Sequence, residues 1–145
     1  MIDYINYNNQ ILGIIIKSNY TKKGITFFTP DDFSQQLAYM NHPKGKTIEA
    51  HVHNIVKREV FYTKEVLFIK KGKIQVDFYT DDQKYFCSRV LESGDVILLA
   101  AGGHGFKILE DTEMFEVKQG PYTGENDKTR FTGINNINEK VKNAE

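Results

Sequence analysis

The sequence predicts an all-β fold, an antiparallel barrel with one short N-terminal helix. Three observations carry that expectation. From Lys46 onward, short runs rich in β-branched and aromatic residues alternate with glycine and acidic turn signals. Only one stretch, beginning at Thr29, has the signature of a helix start. The length of 145 residues suits one domain with one active centre.

Taken in order, residues 1–9 are rich in Asn and Tyr, and residues 11–16 read as a buried or edge strand because of their Ile-rich run. Phe27 and Phe28 belong to a further short strand. Thr29-Pro30-Asp31-Asp32 then supplies a cap, a proline at the first helical position and an acid near the positive end of the dipole. The spacing predicts a helix running to Tyr39 or Met40, ended by the turn signal from Asn41 to Gly45. Strands are expected over 47–54, 65–70, 73–79, 84–91, 95–100, 104–109 and 113–119. Residues 70–73, 79–83 and 109–112 provide hairpin turns. The barrel with its N-terminal strand and helix is expected over residues 1–134, and residues 135–145 form a polar tail.

Composition narrows the function. Lys plus Arg and Asp plus Glu both number 19, so no net charge draws the molecule toward nucleic acid or an anionic membrane. The single cysteine, Cys87, leaves no internal disulfide framework and no multi-cysteine zinc site, and it suits a reducing compartment. The apolar run at 11–16 is far below the roughly 20 residues that span a bilayer, and no small-residue cleavage site follows it. A cytoplasmic protein is expected. The apolar edge at 11–16 further suggests pairing with a second copy, hence a homodimer.

Among the four histidines, His51 and His53 stand two residues apart in an expected strand. Positions i and i+2 share a face roughly 7 Å apart, so both imidazoles can converge on one ion. Imidazole is the commonest neutral ligand of first-row transition metals.

Around this pair lies a glycine framework: Gly45, His51, His53, then Glu65 and Gly72, and a second block from Gly94 to Ala100-Ala101-Gly102-Gly103-His104. These residues resemble the two motifs of the cupin superfamily, over about residues 44–109. The resemblance implies a double-stranded β-helix, or jelly roll, with a metal held inside by His51, His53, Glu65 and His104. Eleven residues separate His53 from Glu65, more than the family motif has, and Glu59 is a rival carboxylate. Glu65 is preferred because it keeps the interval to Gly72 that a strand followed by a turn requires. In the second block Ala100 stands where the family has proline, one residue is missing before His104, and Ile108 takes the place of the final asparagine.

Three imidazoles and one carboxylate suit one divalent Mn, Fe, Ni, Zn or Cu ion rather than Ca or Mg. Alternation from His104 places Phe106 and Ile108 on the inner face, and in the last strand Phe115, Val117 and then Gln119. Gln119, Tyr122 and Arg130 are the candidate contacts to a polar small-molecule ligand. His42 is read as structural, and Glu59, Tyr62 and Lys118 as the remaining acid–base groups. The segment after Glu116 is similar to the tails of small bacterial cupins of cell-surface polysaccharide and nucleotide-sugar pathways. Three functions follow from the resemblance: a metal-dependent enzyme on an oxygen-rich metabolite, a non-catalytic sugar-binding or regulatory module, and a metal-independent sugar-nucleotide epimerase or isomerase.

Overall fold

The computed structural model describes residues 1–134, and the expected tail at 135–145 lies outside the described residues. The β-branched runs form strands β1 (Ile2–Tyr7), β2 (Gln10–Ile16), β3 (Gly24–Phe27), β4 (Ala38–Asn41), β5 (Glu65–Lys71), β6 (Lys73–Tyr79), β7 (Tyr85–Glu92), β8 (Val96–Leu99), β9 (Gly103–Ile108) and β10 (Glu113–Lys118). Every pairing is antiparallel. The only helical element among the described residues is a short 3₁₀ turn, Gly124–Asp127. The chain divides into two compact units, one made of Met1–Tyr20 with the chain from Thr63 on, the other of Thr21–Tyr62.

The first unit holds a five-stranded sheet in the order β1-β2-β8-β5-β10 and a three-stranded sheet in the order β7-β6-β9. Alternation sends one face of each sheet into a common core. Ile5, Leu12, Ile15, Leu67, Ile69, Ile97 and Leu99 come from the larger sheet, and Ile74, Val76, Phe78, Cys87 and Leu91 from the smaller. Phe78 occupies the space that a side chain on β2 would take: a Cβ at Gly13 would lie 2.7 Å from its ring.

The β1–β2 hairpin, for which the Asn-rich opening gives no apolar pattern, turns at Asn8 and Asn9 with φ of 47° and 60°. Asparagine tolerates the left-handed region that such a tight hairpin demands. Residues 11–16 consequently lie inside the sheet, between β1 and β8, and offer no free edge to a second copy. The 79–83 turn is a true hairpin between β6 and β7. The turns at 70–73 and 109–112 are not, because β5 pairs with β8 and β10 while β6 pairs with β7 and β9. Both turns carry the chain from one sheet to the other.

In the second unit, β3 pairs with β4, and the expected helix at 29–40 is absent. Its start signals serve a loop instead. Thr29 Oγ1 donates to Gln36 Oε1 at 2.7 Å and accepts from Leu37 N at 3.2 Å, and Phe28 N donates to Leu37 O at 2.9 Å. A side chain so engaged across the loop closes the hairpin rather than capping a helix. The expected strand at 47–54 is not formed either: residues 46–61 belong to no element and are exposed.

Candidate functional site

Glu65 opens β5 and sits in register with Lys118, the last residue of β10. It shares the core-facing side of β5 with the buried Leu67 and Ile69. His104 lies on β9 opposite Phe78, whose ring is wholly buried in the core. The two sheets therefore aim Glu65 and His104 at each other, and His104 Nε2 stands 3.2 Å from Glu65 Oε2. Lys118 Nζ is 3.2 Å from the other carboxylate oxygen, Oε1, and 3.3 Å from Glu116. The side chain of Glu65 is only 12% exposed, against 29% for His104 and 33% for Lys118, so the carboxylate is the inner member of the cluster.

The hydrogen bond from His104 is the main force that pulls the Glu65 carboxyl down to about 2. It prevails over burial, which acts the other way, and the electrostatic attraction of His104 and the contact with Lys118 add to it. Lys118 is raised from its ordinary value, first by its hydrogen bond to Glu65. The product is an anionic oxygen donor held beside an imidazole nitrogen, partly shielded from water, with a cation at its outer side.

The register also fixes the faces of β10. Phe115 pairs with Phe68 and Val117 with Val66, which puts both on the side opposite Leu67 and Ile69. They are 61% and 59% exposed rather than core-facing as the apolar alternation suggested. Met114, Glu116 and Lys118 take the side of Leu67 and Ile69, and all three remain exposed. The sequence marked Lys118 as an acid–base group without a place for it, and the pairing of β10 with β5 sets it against Glu65. On β9, Phe106 and Ile108 share the side of His104 and remain 39% and 54% exposed, since β9 is an end strand of its sheet.

His51 and His53 lie in the second unit, exposed, with ring centroids 5.3 Å apart, and His51 Nδ1 is 2.8 Å from Glu49 O. The four expected ligands thus stand as two pairs, one in each unit. Among the described residues no group of three or more His, Cys, Asp or Glu side chains is gathered as a metal site. Glu59 and Tyr62 are exposed in the second unit, and His42 Nε2 is buried with no hydrogen-bond partner among the described residues.

Of the other candidates, Gln119 continues the ladder by donating its N–H to Lys64 O at 3.0 Å, which puts its side chain on the face of Phe115 and Val117. Tyr122 is exposed. Arg130 forms an exposed ion pair with Glu125. Gln119 and Tyr122 meet Lys118, Asp127 and Lys128 around a depression of about 100 Å³. That is well short of the ~300–1,000 Å³ of pockets that enclose a metabolite.

Comparison of the chain with protein-family models, curated proteins and solved structures returned no significant match. Among the described residues no helix is long and apolar enough to cross a membrane.

Proposed function

We propose that this chain is a metal-binding barrel of the cupin type that acts on or holds a small oxygen-rich metabolite, such as a sugar derivative. The observation that carries the reading is the contact between Glu65 and His104. Two of the four residues that the motifs single out, 39 positions apart in sequence, meet at 3.2 Å from strands of different sheets. A carboxylate held ionised beside an imidazole is a donor set that suits a divalent transition metal. Glu65 and His104 would supply one oxygen and one nitrogen donor to the ion from the two sheets. Once bound, such an ion polarises a substrate oxygen as a Lewis acid. Lys118 supports this role from the chain itself, because its ammonium can turn from Glu65 to an anionic or hydroxyl oxygen of the ligand. Elemental analysis after reconstitution with Mn, Fe, Ni and Zn tests the reading: close to one ion per chain is expected, and Glu65→Gln or His104→Ala should remove most of it. Glu59→Gln should be silent. Protein that retains no metal after reconstitution would reject the proposal.

One feature favours a second reading, metal-independent proton transfer. A carboxylate that contacts one imidazole nitrogen orients the ring, the arrangement of a general base with its positioning partner. In that case turnover of a sugar nucleotide would survive stripping by a chelator and be lost in His104→Ala.

A further inference from the structure

Residues 47–62 have the composition of a strand and no strand to pair with among the described residues. Ile48, Ala50 and Val52 alternate with Glu49, His51 and His53, the period that gives a strand one apolar and one polar face. Ile48 is 59% exposed, Val52 86% and Phe61 83%. An exposed apolar row on one side of a strand-like segment is the kind of surface a strand buries when it pairs.

The barrel has the complementary defect. β10 ends the five-stranded sheet and presents one unpaired edge. On the outer face of that edge Phe115 and Val117 are exposed, and on the inner face stand Glu65, His104 and Lys118. A strand laid along β10 with Ile48 and Val52 beside Phe115 and Val117 puts His51 and His53 on the side of Glu65 and His104. A slip of one residue would drive the imidazoles against the apolar face, so a single parity satisfies both faces.

We infer that the 47–62 arm of one copy pairs with the β10 edge of a second copy, so that His51 and His53 of each chain complete the site built on Glu65 and His104 of the other. An identical copy carries both the arm and the edge, and the exchange is reciprocal and closed. The sharing of histidines rests on the metal reading above; the exchange of arms does not.

Light scattering on the full chain tests the exchange. The wild type should be a dimer at micromolar concentration, and both Ile48→Asp with Val52→Asp and Phe115→Asp with Val117→Asp should give folded monomers, since all four side chains are exposed in the single chain. A monomeric wild type, or a dimer that survives the arm substitutions, overturns it. The sharing is tested with zinc alone, on a mixed dimer of a His51→Ala, His53→Ala chain and a Glu65→Gln, His104→Ala chain, isolated through two affinity tags. One intact site per pair should hold about half the wild-type zinc per chain, and either variant alone next to none. Zinc in the wild type and none in the mixed dimer overturns the shared site while metal binding stands. A zinc-free wild type that dimerises through the arm rejects metal binding while the exchange stands.

Discussion

Asp95 has 1% of its surface exposed, yet its carboxylate accepts hydrogen bonds from Ser18 N and Glu92 N, both at 2.8 Å, and from the Lys17 ammonium. It ties the end of β2 to the turn before β8. Asp95→Ala leaves two backbone donors without their acceptor and should cost about 1.5–3 kcal/mol in urea unfolding. The exposed Arg130–Glu125 pair is the opposite case, and Arg130→Ala should change stability by no more than about 0.5 kcal/mol. Three of the eight tyrosines, Tyr4, Tyr79 and Tyr85, are held above their ordinary value, in each case first by burial. Burial favours the neutral phenol in the folded state. Their contribution to stability is therefore present below the ordinary tyrosine value near 10 and lost as pH rises through the higher folded values. Tyrosinate absorbance should show these three lagging the rest in native protein, and a single common titration would contradict it. The motif resemblance singled out Glu65 and His104, and the structure brings these two side chains into contact. The place of Lys118 was not legible in the sequence, since β10 turns its apolar residues outward.

Phe78 closes β6 against β2, and Phe78→Ala should lose about 3–5 kcal/mol because the cavity it leaves is lined by packed strands. Gly72 makes the crossing from β5 to β6 with φ +95°, and a Cβ there would collide with Asp111 O and meet Thr112 Oγ1 at 2.6 Å. Gly72→Ala should lower the unfolding midpoint by the equivalent of at least ~1 kcal/mol, through backbone strain and this collision. An unchanged midpoint would show that the two sheet-crossing turns can move apart. The strands from β5 to β10 were readable to within a residue or two, since each is a β-branched run bounded by turn residues. The helix expected at 29–40 failed because Thr29 spends its side chain on Gln36 and Leu37, a contact that no local pattern reveals.

At the scale of the molecule, the proposed exchange of arms would cover residues 47–62, which are exposed in the single chain. Lys57 and Arg58 are among them, so if the proposed exchange forms, trypsin should cut there in the Ile48→Asp, Val52→Asp variant many times faster than in the wild type. Equal cleavage rates would mean that the arm stays uncovered in the assembly.

The sequence by itself determined the all-β class and the strand runs after residue 64, because period and turn chemistry are local properties, and the motif resemblance drew attention to the acid and the imidazole that meet between the two sheets. Only the tertiary structure decided which strands pair, and with them which face of β10 looks inward and which turns cross between sheets. Pairing is a contact between distant residues, and a strand pattern such as that of residues 47–54 states a capacity to pair without naming the partner.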